Sequence, residues 1–555
     1  MNNSTGSCSG NIIDVIQKKI YPGILYYDNG KITRIEKSDP KDVANQFISP
    51  GFVDAHLHIE SSLLTPYEFA RASMPHGTIA CVCDPHEIAN VAGIRGIDFM
   101  IENGKLSPMK YCFGVPSCVP ATDFETSGAR IDASTTKELL ERPDLHFLGE
   151  MMNYVGVLQQ IPEVMDKLDA AKETGKPVDG HAPRLHGKQL LQYVAAGIST
   201  DHECANKAEG LEKIKDGMLV QIRDGSAATD FTALIGLANE YPDRVMFCTD
   251  DKHPDDLLEG HMDRILEKAV ASGVDPIQAI RSCSLIPCNH YGIEMGLLRP
   301  GDPADFIVLE DLEKFRVKSV YVEGTCVAKE GKSLFEYRKP TEYVNNFEAI
   351  PLILADLSID ALSGKIRCME IKEGELFTKE SIEEAPVKNG EVVSDPEKDL
   401  LKLVVYNRYT PGAKPQFGFV RNFGLKKGAF ASSIGHDSHN LIAIGSSDEE
   451  ILHAMNTVIE RKGALVACCE GEIQTIPLPI GGLMSSEPFE KIAAAYHDMT
   501  EFVGKMGTSL HAPFLTLAFL SLPVIPELRL TDKGLFSVVH NRYVPLFVED
   551  PEKRK

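Results

Sequence analysis

Short bursts of alternating apolar and polar positions open the chain: Ile12, Ile13 and Val15, then Ile24, Leu25 and Tyr26, then Ile32 and Ile35. Pro22-Gly23 and Asp28-Asn29-Gly30 interrupt them, and period-two alternation between turn signals predicts small antiparallel strands. The same texture returns at 297–335, where Phe306-Ile307-Val308-Leu309 and Val320-Tyr321-Val322 follow the turn at Arg299-Pro300-Gly301-Asp302. Between these pieces, β-branched runs near 53–58, 78–83, 110–115, 145–149, 176–180, 197–201, 218–222 and 244–249 alternate with helix-length segments. Eight such runs predict an α/β fold, a (β/α)8 barrel whose chemistry gathers at the C-terminal ends of its strands. The flanking strands then pair into one small β-sandwich.

Beyond about residue 345 the texture changes. An acidic stretch from Glu370 to Lys398, read as solvated surface, precedes strands at 400–407, 416–422, 428–434 and 441–445. A helix begins with Ser446 or Ser447 as N-cap before Asp448-Glu449-Glu450, because a hydroxyl cap and first-turn acids complement the helix dipole. The predicted organisation is a composite β-sandwich from 1–50 and 297–345, a metal-dependent (β/α)8 barrel at 51–296, and a C-terminal α+β domain at 346–555.

Composition narrows the function classes. The 555 residues are 43% hydrophobic and 25% charged, the balance of an ordinary globular protein. A net charge of −23 is the wrong sign for gripping phosphate backbones or anionic lipid, which argues against nucleic-acid and membrane-surface partners. The 13 cysteines lack Cys-x-x-Cys spacing and read as free thiols in a reducing cytosol. Met1 to Gly10 is polar, without a signal-peptide profile, so a cytoplasmic location is expected. The apolar passage Ala512 to Leu528 is broken by Pro513, Pro523 and Pro526 and suits core packing better than a membrane span.

The candidate chemistry starts at the first barrel strand. In His56-Leu57-His58, strand alternation points both imidazoles the same way, so the pair is either half of a cation site, with nitrogens about 2.0–2.1 Å from a zinc-like ion, or two structural histidines. Four more potential ligands end predicted strands: Glu150 after Phe147-Leu148-Gly149, His181 after Val178-Asp179-Gly180, His202 after Thr200-Asp201, and Asp250 after Cys248-Thr249. Six N and O donors converging on one barrel face can hold two divalent ions bridged by a carboxylate, which activate a shared water.

Longer passages carry a resemblance. The order His-x-His, Glu, His, His, Asp, with the split sandwich and Pro300-Gly301-Asp302-Pro303-Ala304-Asp305, resembles the metal-dependent amidohydrolase superfamily. Within it, His56 to Ser62, Asp84-Pro85-His86-Glu87-Ile88-Ala89-Asn90, Gly149 to Asn153, Gly180-His181-Ala182-Pro183 and Thr249-Asp250-Asp251 resemble the bacterial adenine deaminase family. Gly435-His436-Asp437-Ser438-His439-Asn440 and Pro477 to Ser485 are similar to that family's extra domain. The resemblance implies hydrolysis of adenine to hypoxanthine and ammonia in purine salvage, with two divalent ions per chain, manganese or iron, zinc being an alternative. It implies His56, His58, Glu150, His181, His202 and Asp250 as the metal set, Glu150 bridging where many relatives use a carbamylated lysine.

Roles follow from chemistry. Asp250, beside the attacking water, is the candidate proton shuttle. Glu203 is either the acid that protonates the ring or a side chain turned into the barrel wall. Asp251 is a supporting group or a turn residue. His86 contacts substrate or caps its loop, Arg184 orients substrate or pairs with a surface carboxylate, and His436 and His439 either close over the purine or stabilise a turn. A homodimer or higher homo-oligomer is expected.

Two decoys fail. His58-Ile59-Glu60 matches half of the cytidine-deaminase zinc signature, but Pro287-Cys288-Asn289-His290-Tyr291 lacks the closing cysteine. Gly331-Lys332-Ser333 resembles a P-loop ending, yet Cys326 stands where its first glycine belongs. The remaining rivals are a hydrolase of another cyclic amide or amidine, and a non-catalytic binding subunit.

Overall fold

The computed structural model describes residues 4–226, 229–362 and 364–548. The first three residues of the polar N-terminus and the last seven of the C-terminal segment lie outside the described residues.

Eight parallel strands appear where the apolar runs predict them: β1 (Phe52–Leu57), β2 (Thr78–Cys83), β3 (Lys110–Val115), β4 (Phe147–Met151), β5 (Val178–Gly180), β6 (Thr200–Asp201), β7 (Leu219–Arg223) and β8 (Val245–Cys248). β1 to β5 form one ladder and β6 to β8 another. Parallel bridges Val178–Ile198 and Leu57–Asp250 join them. At the second seam the Asp250 N–H donates to the His56 carbonyl (2.9 Å) and the His58 N–H to the Asp250 carbonyl (3.2 Å). The barrel therefore closes at three of the candidate site residues. Val53, Ala55, Ile79, Leu148, Val220 and Phe247 are fully buried on these strands, the side-chain filling that makes such a barrel a packed core.

The flanking pieces join in one continuous eight-stranded sheet, in the order 332–333, 325–329, 317–322, 306–309, 47–49, 6–14, 19–28, 31–37. The sheet curls so that its ends face one another. Tyr27 meets Phe306 (ring centroids 5.8 Å apart) and Tyr321 (6.5 Å) over a core of Ile12, Leu25, Ile32 and Val308.

The C-terminal part is an α+β unit built on a second eight-stranded sheet, mostly antiparallel. Helix Asp448–Arg461 packs Ile451, Met455 and Val458 into that sheet's core, and Ser447 caps it by accepting from the Glu450 N–H. The acidic stretch is only partly solvated, because Ile371, Thr378 and Val392 are buried. Ala512 to Leu528 becomes helix Pro513–Phe519 and an irregular return, and no helix among the described residues is long and apolar enough to cross a membrane. All 13 cysteines are free.

Candidate active site

Each candidate ligand sits at a strand's C-terminal end, where the ladder stops and side chains turn inward. Glu150 is central. Its Oε1 lies 3.2 Å from His58 Nε2, while its Oε2 lies 2.6 Å from His181 Nδ1 and 3.2 Å from His202 Nε2. Asp250 Oδ1 lies 3.3 Å from His58 Nε2 and 3.8 Å from His56 Nε2. Two groups of donors thus share one carboxylate, with His56, His58 and Asp250 on one side and His181 and His202 on the other. Both ring nitrogens of His56 are buried without a hydrogen-bond partner. Burying polar nitrogens unsatisfied is costly unless something else takes their lone pairs, so the donor set fits a cation centre.

Neighbouring groups orient these ligands. The His58 Nδ1–H donates to the Asp84 carbonyl (3.0 Å), which fixes the tautomer and leaves the Nε2 lone pair facing Glu150 and Asp250. Asp84 Oδ2 accepts the Glu150 N–H (2.9 Å), and Asp201 Oδ1 accepts the Glu203 N–H (2.7 Å). A Cβ on Gly149 would collide with Asp84 Oδ2, so this position needs a glycine. Glu60 accepts the Ile88 N–H (3.1 Å), and burial pushes its carboxyl up to about 7.

The other candidates separate by position. Glu203 lines the cavity: β6 ends at Asp201, so strand alternation no longer turns Glu203 into the barrel wall. Asp251 lines it too, half-buried, accepting from the Ser61 hydroxyl; desolvation, then the Asp250 charge, pushes its carboxyl up. His86 opens helix His86–Ala92 with Nδ1 3.5 Å from Glu150 Oε1, as close as a ligand would be. His436 reaches the cavity from the C-terminal part and stacks on Phe519 (ring centroids 4.5 Å, 12° between planes). His439 is fully buried behind that wall and does not line the cavity. Arg184 lies outside it, its guanidinium 4.0 Å over the Phe377 ring beside an adjoining cavity, and no surface carboxylate among the described residues pairs with it.

Arg223 went unremarked in the sequence. It ends β7, and its Nη1 donates to Asp250 Oδ2 (2.7 Å) and to Glu203 Oε1. A cation closing the strand run Leu219-Val220-Gln221-Ile222 is the same signal that marked the other strand ends. Leu376, Phe519, Leu522 and Ile525 supply an apolar lid from the C-terminal part, and no local pattern announces that role.

The comparisons agree with this geometry. The amidohydrolase family profile matches residues 47–327, and that of the adenine deaminase C-terminal domain matches residues 375–542. The adenine deaminase of Salinibacter ruber is 46% identical over 544 residues, covering 98% of this chain and 99% of the relative. That of Methanosarcina acetivorans is 48% identical over 551 residues, with the same coverage. The chain belongs to the adenine deaminase family. Amidohydrolase membership and the clustered histidines and carboxylates together mark the barrel mouth as a divalent-metal site. Membership also accounts for the lid, since the adenine deaminase C-terminal match spans Leu376, Phe519 and Ile525.

Proposed function

We propose that this chain hydrolyses adenine to hypoxanthine and ammonia, with the metal held by His56, His58, Glu150, His181, His202 and Asp250. The observation that supports it most is near-full-length identity of 46–48% to adenine deaminases, joined to a donor set grouped on the two oxygens of Glu150. The reading takes two divalent ions per chain, manganese or iron, with zinc an alternative. Such a centre supplies a water activated for attack at neutral pH.

The chain's own residues do the rest. Asp250 accepts a proton from the attacking water, poised by Arg223 on Oδ2 and His58 near Oδ1. Arg223 engages Glu203 through Oε1, and Glu203 delivers a proton to ring N1. The C6–O bond forms and the C6–N bond breaks; of the water's two protons, one ends on N1 and the other on departing ammonia. His86, Asp251 and His436 face the ring, and the apolar lid excludes bulk water. Arg184 and His439 act from outside this cavity, on the approach and behind the His436 wall.

The chain is proposed to work in the cytoplasm as a homodimer or higher homo-oligomer; a strict monomer by light scattering at micromolar concentration contradicts the second point. Ammonia release from a panel of purines, pyrimidines and cyclic imides tests the substrate. Adenine should dominate, and preference for a cyclic imide would overturn the reading.

A further inference from the structure

A second cluster of metal-ligating side chains adjoins the site and shares His86 and His436 with its wall. The first turn of helix His86–Ala92, after β2, supplies His86 and Glu87, and the loop between strands Ala429–Ser432 and Leu441–Gly445 supplies His436, Asp437 and His439. None of the five is more than 3% exposed. Glu87 Oε1 lies 2.7 Å from His436 Nδ1 and 3.4 Å from His86 Nε2, and its Oε2 contacts His439 Nε2. Asp437 Oδ2 lies 3.9 Å from His86 Nε2.

Glu87 Oε1 and His436 Nδ1 satisfy one another, but other atoms of the cluster are left over. Glu87 Oε2 and His439 Nε2 touch without hydrogen-bond geometry, and with His439 Nδ1 and Asp437 Oδ2 they are buried with no hydrogen-bond partner among the described residues. Buried polar groups almost always find one, and leaving a donor or acceptor unsatisfied is costly. The unsatisfied atoms gather around one carboxylate, as those of His56 and its neighbours gather around Glu150 in the barrel. Three imidazole nitrogens with two carboxylates suit a first-row divalent metal rather than calcium or magnesium, which prefer all-oxygen shells.

We propose that His86, Glu87, His436, Asp437 and His439 bind a further divalent transition-metal cation that staples the C-terminal part to the barrel mouth. His86 stands between the two centres, Nε2 toward Glu87 and Nδ1 toward Glu150. The staple fixes the loop that carries His436 and, through its stacking partner Phe519, one wall of the cavity.

The test is metal counting on the full-length holoenzyme loaded with manganese, by mass spectrometry after gel filtration, beside Glu87→Gln and His439→Asn. Each variant should hold one manganese fewer per chain than the parent. Equal counts in parent and variants overturn the proposal. Manganese-edge anomalous scattering from parent crystals decides independently of variant folding: a peak among Glu87, His436 and His439 supports it, and its absence there overturns it. Adenine turnover is read separately, so an inactive enzyme that still shows this peak defeats the substrate reading and leaves the staple standing.

Discussion

The Asp84 side chain accepts the backbone N–H of Glu150 at 2.9 Å, across the gap between two barrel strands. That bond holds in place the carboxylate on which both donor groups converge. It exists because residue 149 is glycine and leaves room for the Asp84 oxygen. Gly149→Ala should displace Asp84 and loosen metal binding by about 10- to 100-fold, the usual cost of losing an orienting partner. Metal retention against a chelator series checks this; unchanged retention would show that Asp84 does not position Glu150.

Arg223 neutralises two carboxylates that otherwise repel across the cavity. Arg223→Met keeps most of the side-chain bulk and removes the charge. It should cut kcat at least about 100-fold, in the range lost when a proton-transfer group is misplaced, while leaving the circular dichroism spectrum unchanged. A normal kcat with raised KM would assign Arg223 to substrate binding instead.

Phe519 contributes an aromatic face to the lid and stacks on His436. Phe519→Ala should raise KM for adenine about tenfold, given that stacking of a base on an aromatic ring is worth about 1–3 kcal/mol, with a smaller change in kcat. Steady-state kinetics separate the two; an unaltered KM would remove Phe519 from the pocket wall.

Stability should depend on pH through His290, away from the site. Burial lowers its imidazole to about 4, against about 6.5 in an unfolded chain. Between those values the unfolded state binds the extra proton, so stability rises with pH through this window. The contribution is fully present above about 6.5 and is lost as pH falls toward 4, on the order of 3 kcal/mol at most. His290→Asn should flatten the slope of Tm against pH between 4 and 6.5, and an unchanged slope would contradict it.

Much of this was legible in the chain because the signals are local. Eight apolar runs fell on the eight barrel strands, and Ser447 caps its helix as the hydroxyl-then-acids pattern implies. The residues ending those runs converge because a barrel brings its strand ends together, so His56 and Asp250 meet at the closing seam. What escaped depends on distant chain. Leu376 sits inside an acidic stretch that reads as solvent-facing, yet it lines the cavity together with Phe519, and nothing within either segment signals that role. Arg184 sits in a left-handed turn at φ 59° with its side chain over Phe377, beside the adjoining cavity rather than in the site, a placement set by distant chain.

The most direct test reconstitutes apoprotein separately with manganese, ferrous iron and zinc and follows adenine absorbance and ammonia release, with Asp250→Asn alongside. Asparagine tolerates the positive φ of 58° at this position, so the variant should fold. Hypoxanthine should form only with metal, and the variant should lose about 100- to 10,000-fold in rate. Metal-free turnover, or an Asp250→Asn enzyme at near-parental rate, would contradict the account.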